Sequence, residues 1–544
     1  IPFLMANLID LGINAGDMGY TLWMGGVLVL AAVVSLIFGA LAGRYAAKAS
    51  SGYARNLRRD MYYNVQDFSF SNIDKFSTAS IVTRLTTDVN YVQMAFQMII
   101  RIAVRSPLML IFALAMSFSI NRQLSLIFLG TVPFLAAGLY LIMRSAYPVF
   151  GRVFRTYDRL NNAVQENVRG IRVVKSFVRE EHQKGKFMSV SGDLYKDFSK
   201  AEKLLAFTSP LMQSIVYICM LLISWFGAQL IVGGSLTTGQ LTSLLSYTMQ
   251  ILLSLMMLSM IFVMITISRA SAERIVQVLD EQPDLRSPAA PVRDVRDGSI
   301  SFRSVDFRYS KSQDRLSLSG VNLEIKPGET VGIIGGTGSS KSTLVQLIPR
   351  LYDVTGGSVT VGGVDVRDYD LKALRDAVGM VLQKNTLFSG TIKENLRWGN
   401  EGATDEELVR VCKIVQADEF IRSFPDGYDT HIEQGGSNVS GGQKQRLCIA
   451  RALLKRPKVL ILDDSTSAVD TKTDALIRRA LRDELPGVTK LIISQRISSI
   501  EDADKIVVMD GGRVNAVGTH EELLKSNQIY REVYSSQVKE GGAE

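Results

Sequence analysis

The chain has 544 residues, more than one compact domain usually contains, and a formal net charge of +8. Three widely separated cysteines, Cys219, Cys412 and Cys448, argue against a disulfide framework or a zinc site. The excess of basic over acidic residues indicates nucleic acid or a membrane as a partner, and the positions of the charges decide between them. Long apolar runs alternate with basic stretches up to about residue 280, and the remainder has the composition of a soluble α/β protein.

Five apolar segments in the first half are candidates for membrane-spanning helices, since a span needs roughly 20 mostly apolar residues. Buried core helices of a soluble protein are the alternative, but five such segments in one half of a chain disfavour it. The opening IPFLMANLIDLGI is too short to span and is interpreted as the end of a truncated helix, so we predict six spans. The five longer segments are residues 20–41, 106–120, 124–143, 209–232 and 241–268.

The distribution of charge predicts how these spans are oriented. The short connections 15–19, 121–123 and 233–239 carry a single basic residue, Arg122, whereas two long connections are rich in arginine and lysine. Positively charged loops stay on the cytoplasmic side of a membrane. We therefore expect a multi-pass protein of the cytoplasmic membrane, embedded in a lipid bilayer, with two long helical extensions in the cytosol. At 1.5 Å per residue, about 30 helical residues would reach about 45 Å below the membrane. This topology explains the excess of basic residues, and no nucleic acid partner is predicted.

A linker and a second domain follow the predicted transmembrane domain, residues 1–280. Residues 281–298 are rich in proline and charge and predict a linker, so the second domain would comprise residues 299–544. Within it, an apolar strand leads through a glycine-rich turn into an amphipathic helix, the context of a phosphate-binding loop. Lys341 would reach the β- and γ-phosphates and Ser342 would bind Mg²⁺, although Ser340 stands where the pattern has glycine. The predicted nucleotide-binding residues of the loop are Gly335, Gly336, Thr337, Gly338, Ser339, Ser340, Lys341, Ser342 and Thr343.

The run VLILDD, residues 459–464, predicts a buried strand that ends in two carboxylates. Alone, such a pair is more often a turn at the end of a strand. Downstream of a phosphate-binding loop, Asp463 is instead expected to hold Mg²⁺ directly or through water.

Together with VSGGQKQR at residues 439–446, these features resemble the ABC exporter family along essentially the whole chain. The resemblance implies an α-helical membrane domain with six transmembrane helices and long cytosolic extensions, followed by an α/β P-loop nucleotide-binding domain that uses ATP and Mg²⁺. FSFSNIDKF and VVKSFVRE would be the coupling helices at the tips of the extensions.

The resemblance also implies a role for several single residues. Tyr309 would stack on adenine, and Gln383 would sense Mg²⁺ and contact the membrane domain. Ser467 and Asp470 would belong to a loop that joins two nucleotide sites. The signature residues that would act on the nucleotide of a second subunit are Ser440, Gly441, Gly442 and Gln443.

Two positions depart from the family pattern. Asp464 stands in place of the catalytic glutamate and Gln495 in place of the switch histidine. Aspartate is shorter by one methylene, about 1.3 Å, and a misplacement of about 1 Å can cost on the order of 10²-fold in rate. Glutamine can donate a hydrogen bond but cannot carry the charge of a histidine. We expect ATP to bind and to be hydrolysed slowly.

The resulting hypothesis is the degenerate-site subunit of a heterodimeric bacterial multidrug exporter. Its partner would be a second ABC half-transporter, and its substrate a hydrophobic or amphipathic small molecule. A slow homodimer and a chain altered to trap ATP are alternatives for the assembly. A lipid exporter, a peptide exporter and an ATP-gated channel or regulator are alternatives for the function.

Overall fold

In the computed structural model of the chain, residues 1–309 and 315–541 are described. The chain divides into two compact units. The first consists of Ile1–Gln66 and Thr78–Asp280, and the second of Asp67–Ser77 and Glu281–Glu544.

The first unit is built from long, apolar helices, as the sequence predicted. A helix satisfies its backbone hydrogen bonds internally, which is the requirement for a segment surrounded by lipid. A shorter apolar helix, Pro2–Ile13, precedes them. Among the residues that the structure describes, five helices are long and apolar enough to cross a membrane: Met18–Asp67, Thr78–Ile120, Arg122–Arg169, Glu180–Val232 and Thr238–Asp280.

Local changes in winding subdivide some of these helices. Wider π-helical turns occupy Leu8–Ile13, Arg84–Asp88 and Ile99–Ala103. The α-helices of this half are α1 (Pro2–Asn7), α2 (Met18–Asp67), α3 (Phe70–Phe76), α4 (Thr78–Thr83), α5 (Val89–Met98), α6 (Arg105–Ile120), α7 (Arg122–Arg169), α8 (Ile171–Ser176), α9 (Glu180–Ala206), α10 (Thr208–Val232) and α11 (Thr238–Asp280).

Apolar clusters and an ion pair with a buried carboxylate stabilise the first unit. Phe128 of α7, Ile223 of α10 and Leu244 of α11 are almost fully buried in one cluster. Asp88, only 1% exposed, accepts hydrogen bonds from Arg274 Nε at 2.8 Å and from Ser271 Oγ at 2.9 Å. A buried charge requires such partners, so this contact fixes α11 against the π-helical turn before α5.

Among the residues that the structure describes, the second unit contains two larger sheets of different type and a short two-stranded sheet of residues 390–391 and 431–432. A six-stranded sheet has the order β12-β11-β3-β10-β9-β6, and a four-stranded antiparallel sheet has the order β2-β1-β4-β5. The strands are β1 (Ile300–Phe307), β2 (Leu318–Ile325), β3 (Thr330–Gly335), β4 (Gly356–Val361), β5 (Val364–Asp365), β6 (Val378–Val381), β7 (Gly390–Thr391), β8 (His431–Ile432), β9 (Val459–Asp463), β10 (Thr489–Ile493), β11 (Lys505–Asp510) and β12 (Arg513–Gly518).

Helices cover the six-stranded sheet. Every residue of β9 and β10 is buried, which is typical of parallel strands with both faces covered. The α-helices of this half are α12 (Lys341–Gln346), α13 (Leu371–Ala377), α14 (Ile392–Arg397), α15 (Asp405–Ile414), α16 (Asp418–Ser423), α17 (Gly441–Leu454), α18 (Thr471–Glu484), α19 (His520–Ser526) and α20 (Gln528–Gly541). This architecture agrees with the predicted α/β nucleotide-binding fold.

The segment Asp67–Ser77 contains the short helix α3 and packs within the second unit. Ser69 and Asn72 form a capping box, in which each side chain accepts a hydrogen bond from the backbone N–H of the other residue. The buried Asn72 side chain also donates to Glu281 Oε1 at 2.8 Å and to the Gln282 carbonyl oxygen at 3.1 Å. The first residues of the predicted linker are therefore held by α3.

Candidate functional site

Five strands of the six-stranded sheet run parallel, and four of them, β3, β10, β9 and β6, lead into the loops of the predicted site. Strand β10 lies between β3 and β9, with Ile493 opposite both Ile333 and Asp463, and β6 pairs with the other side of β9. Ligands of open α/β sheets bind outside the carboxyl ends of the strands. The register therefore brings the loops that follow Gly335, Ile493, Asp463 and Val381 to a common edge.

The predicted phosphate-binding loop connects β3 to α12. A Cβ atom on Gly335 would lie 2.2 Å from the Met509 carbonyl oxygen, so this position requires glycine. Ser340 has a φ of +69°, in the left-handed region, which explains why the motif has glycine there. The Lys341 ammonium group donates to the carbonyl oxygens of Gly335 at 2.8 Å and Gly336 at 2.9 Å. The loop backbone thus surrounds a cation of the kind that binds phosphate.

Ser342 and Asp463 meet at the start of α12 and the end of β9. Ser342 Oγ donates to Asp463 Oδ1 at 3.0 Å. Burial raises the pKa of Asp463, and burial lowers the pKa of Lys341, which the Asp463 and Asp464 carboxylates oppose. A hydroxyl and a carboxylate are hard oxygen ligands that fit Mg²⁺, which is usually completed by water and nucleotide phosphates.

Tyr309 adjoins this loop from the end of the four-stranded sheet. Its hydroxyl shares a hydrogen bond with Thr343 Oγ1 at 2.9 Å. The edge of its ring packs against Phe307 and Tyr352, with ring centroids 4.9 Å and 5.2 Å apart. Tyr309 nevertheless remains 44% exposed, so part of its ring is available for stacking. Tyr352, which the sequence analysis missed, also donates to Asp74 of α3 at 2.8 Å.

Gln383 lies in the loop after β6, at the same edge. Its side chain is exposed, and its carbonyl oxygen accepts from Asn385 Nδ2 at 3.4 Å. Within the part of the chain that the structure describes, no hydrogen bond joins Gln383 to Ser342 or Asp463. The fold places it beside the site without bringing it into contact with the predicted Mg²⁺ ligands.

Asp464 and Gln495 follow the neighbouring strands β9 and β10. Asp464 has a φ of +50°, and its N–H donates to the Ile493 carbonyl oxygen at 3.0 Å. Gln495 is exposed, and its backbone carbonyl accepts from Gln537 Nε2 of α20 at 2.7 Å. Asp464 and Gln495 thus lie in the segments that follow adjacent strands, and Gln537 of α20 contacts Gln495.

The signature residues form the N-terminus of α17. Ser440 and Gln443 make a capping box: Ser440 N donates to Gln443 Oε1 at 2.9 Å, and Gln443 N donates to Ser440 Oγ at 3.3 Å. A Cβ atom on Gly442 would lie 2.9 Å from the Ala468 carbonyl oxygen and one on Gly441 would lie 3.3 Å from Ala468 Cβ, so both glycines pack closely against residue 468. Ser440 and Gly441 remain exposed at the end of a 14-residue helix, where backbone N–H groups favour an anion.

The loop 467–470 connects the signature helix to the sheet edge. Ser467 Oγ donates to the Asp464 carbonyl oxygen at 3.0 Å, and Asp470 caps α18 by accepting from Thr473 N at 2.9 Å. Two residues that the sequence analysis missed support it. Gln445 Nε2 donates to Ser467 Oγ at 3.2 Å, and the Arg496 guanidinium donates to the Ser467 carbonyl oxygen, also at 3.2 Å. Gln445 lies within VSGGQKQR and Arg496 follows Gln495, but nothing local in the sequence predicts their contacts with Ser467.

Comparisons with known proteins cover most of the chain and show its family and fold. The family profile for the ABC transporter transmembrane region matches residues 1–256, and the profile for the ABC transporter matches residues 318–467. The ABC transporter ATP-binding protein YfiB of Bacillus subtilis is 38% identical, over 100% of this chain and 94% of its own length. The ATP-dependent lipid A-core flippase of Desulfotalea psychrophila is 33% identical, over 89% of this chain and 84% of its own. A solved bacterial Atm1-family ABC exporter with ATP bound has a TM-score of 0.86 at 26% identity, covering 98% of this chain and 95% of that structure.

Proposed function

The chain belongs to the ABC transporter family as an exporter half-transporter, and from that premise we propose that it is the degenerate-site subunit of an ATP-driven heterodimer. Its helices make it a multi-pass membrane protein, and we place it in a bacterial cytoplasmic membrane with its second unit in the cytosol. The proposal rests on one edge of the six-stranded sheet. There Lys341, Ser342 and Asp463 follow the family pattern. At the same edge, Asp464 and Gln495 depart from it.

The chain's own site is built to hold ATP. Lys341 and the loop backbone bind the phosphates, Ser342 and Asp463 bind Mg²⁺, and the half-exposed Tyr309 stacks on adenine. In-line attack by water needs a carboxylate at the right distance and a group that stabilises the γ-phosphate. Asp464 is too short for the first role, and Gln495 is uncharged in the second. ATP is therefore retained at this site and hydrolysed slowly.

The signature acts on the nucleotide of a partner subunit. Ser440 and Gly441 are exposed, and the hydrogen bonds of Ser440 and Gln443 are local to the helix end. The helix N-terminus is thus free to bind the γ-phosphate held by a second chain. Turnover depends on this surface, with the partner supplying the phosphate-binding loop, the glutamate and the histidine.

Part of the partner-binding surface lies at the end of the α7–α9 extension. Val168, Val173, Phe177 and Val178, which we call the rod tip, are 65%, 60%, 72% and 80% exposed. Such a group of exposed apolar side chains is typical of an interaction site. We infer that the rod tip docks on the partner's nucleotide-binding domain and transmits the closure of the ATP-bound domains to the membrane helices.

The transported compound is proposed to be a hydrophobic or amphipathic molecule that enters from the bilayer. A lipid is a second candidate, favoured by the likeness to the lipid A-core flippase. Transport of unrelated hydrophobic cations would support the first, and movement of a labelled lipid between leaflets without cation transport would support the second.

The test uses the full chain purified with its partner from native membranes through a tag on this chain. We predict that Ser440→Ala lowers ATP turnover by at least about 100-fold, as does removal of a donor aimed at developing charge in other enzymes. Asp464→Ala should lower it by no more than about twofold, because this carboxylate is already misplaced. Turnover is measured in the co-purified complex.

Ser437→Ala is the matched control, since this nearby exposed serine hydrogen-bonds to Glu433 and lies outside the helix end. Equal losses for Ser440→Ala and Asp464→Ala would indicate two equivalent sites. Brisk hydrolysis by this chain without a partner would also contradict the proposal.

A further inference from the structure

The C-terminal helix α20 contributes one side chain to the loop that carries Gln495. Gln537 Nε2 donates to the Gln495 carbonyl oxygen at 2.7 Å, and Gln537 Oε1 accepts from the Ile497 N–H at 2.9 Å. A carboxamide matches this pair of backbone groups in one orientation, because it has one donor end and one acceptor end. We call these two hydrogen bonds the Gln537 clasp.

Helix α20 gives the clasp a fixed base. Tyr530 is fully buried, and its hydroxyl shares a hydrogen bond with His520 Nδ1 at 2.7 Å. Its N–H donates to Asn527 Oδ1 at 2.9 Å. Val533 packs against the hydrophobic core that includes Ile497, one of the two residues held by the clasp. The helix and the loop therefore share one core.

Arg496 holds the other side of the loop. Its N–H donates to Ser494 Oγ at 2.9 Å, and its guanidinium donates to the Ser467 carbonyl oxygen at 3.2 Å. The Gln495 side chain has no hydrogen-bond partner among residues 1–309 and 315–541. The backbone position from which this side chain extends is consequently set by Gln537 and Arg496.

We propose that Gln537 is a positioning residue that aims the Gln495 amide at the γ-phosphate of ATP in this chain's own site. The inference rests on the proposed function, in which that site holds ATP. An amide N–H contributes only within about 3 Å of its acceptor and weakens steeply with misalignment. ADP lacks the γ-phosphate, so the clasp sets the preference of the site for ATP over ADP.

The experiment uses the co-purified complex and photolabelling with 8-azido-ATP, which reports on this chain separately from its partner after electrophoresis. ATP and ADP compete for the label in the wild type and in the variants Gln537→Met and Gln537→Glu. Methionine removes both hydrogen bonds, whereas glutamate keeps the acceptor for Ile497 and places an oxygen against the Gln495 carbonyl. Both variants should lower the ATP-to-ADP affinity ratio about tenfold, the effect of a lost hydrogen bond to a charged group, with ADP affinity unchanged.

Ser535→Glu is the control, since it adds the same charge to an exposed position of α20. It should leave the ATP-to-ADP ratio unchanged. Hydrogen exchange of peptides covering residues 494–500 gives a second readout: exchange at Ile497 should accelerate in Gln537→Met and stay slow in Gln537→Glu.

An unchanged ATP-to-ADP ratio in both Gln537 variants would overturn the positioning role. A different result would show that the proposed function is wrong and that this chain does not hold ATP at Lys341. Labelling of this chain would then persist in Lys341→Ala, which would overturn both proposals.

Discussion

At the scale of single residues, Ser340 and Asp464 show how backbone conformation selects side chains in the candidate nucleotide site. Both have a left-handed φ, +69° and +50°. A side chain in this region costs roughly 1–2 kcal/mol relative to glycine, so Ser340 strains a loop whose motif otherwise has glycine. Aspartate is several-fold enriched in the left-handed region. The turn after β9 therefore accommodates Asp464 with little strain.

Asp463 lies in a site where function and stability oppose each other. We predict that Asp463→Asn weakens Mg²⁺-dependent ATP binding by at least about tenfold, as loss of a metal-site group commonly does, and stabilises the ATP-free protein at neutral pH. Burial raises the pKa of Asp463 in the folded state. The stabilisation associated with the protonated carboxyl is present below the ordinary value of about 4 and is lost as the pH rises through the raised value.

The measurements are equilibrium ATP binding with Mg²⁺ and thermal unfolding without nucleotide across this pH range. In the wild type, part of the stability lost as the pH rises is due to deprotonation of Asp463. Asp463→Asn has no proton to lose at this position, so its stability should fall less over the same pH range. Asp483→Asn, at an exposed position of α18, is the control and should unfold like the wild type. Identical pH dependence in the wild type and Asp463→Asn would contradict the assignment.

At the scale of elements, local patterns explain what could be predicted from the sequence. The apolar spans, the glycine-rich turn before Lys341 and the strand that ends at Asp463 are each contained in a few consecutive residues. The contact between Gln537 and Ile497 joins residues 40 positions apart. Nothing in the sequence distinguishes a helix-surface glutamine that contacts a distant loop from one that does not. The contact of Gln537 with Gln495 and Ile497 could therefore be found only from the structure.

Helix α3 is attached to the rest of the second unit in part through one buried side chain. Asn72 is 1% exposed and bonds to both Glu281 and Gln282. We predict that Asn72→Ala destabilises the second unit by about 2 kcal/mol, because the part-buried hydrogen bonds to Glu281 and Gln282 and the capping box of α3 are lost together. If α3 couples ATP use to transport, this variant should also lower the amount of substrate moved per ATP hydrolysed.

Denaturant unfolding and the ratio of transport to ATP hydrolysis measure the two effects. Lys75→Ala is the matched control on the same helix: its ion pair with Glu281 involves a lysine side chain that is 61% exposed, so it should cost less than about 1 kcal/mol. Equal losses of unfolding free energy in Asn72→Ala and Lys75→Ala would show that the burial of a side chain does not determine its contribution to stability.

At the scale of the whole molecule, the rod tip is the surface that most directly tests assembly. We predict that Phe177→Asp weakens binding of the partner subunit by at least about 30-fold, since aromatic side chains at interface hot spots commonly contribute about 2 kcal/mol or more. The measurement is the fraction of partner that co-purifies with the tagged chain at decreasing concentration.

Tyr195→Asp serves as the control for the rod tip. This residue is 73% exposed on α9, about 22 Å along the helix from its start at Glu180. It should have a smaller effect on co-purification. An equal effect would place the main contact along the extension instead of at the rod tip.

The discontinuous second unit has a consequence for biosynthesis. Asp67–Ser77 leaves the ribosome before Glu281–Glu544, although these two parts pack in one compact unit. At 5–20 residues per second, the roughly 200 intervening residues take about 10–40 s to synthesise. During that interval Asn72 has no access to Glu281, while several spans are still entering the bilayer. Helix α3 is therefore exposed to the quality control of the nascent protein before Glu281 and Gln282 have been synthesised. Substitutions in α3 should lower the yield of inserted protein even where the finished fold tolerates them.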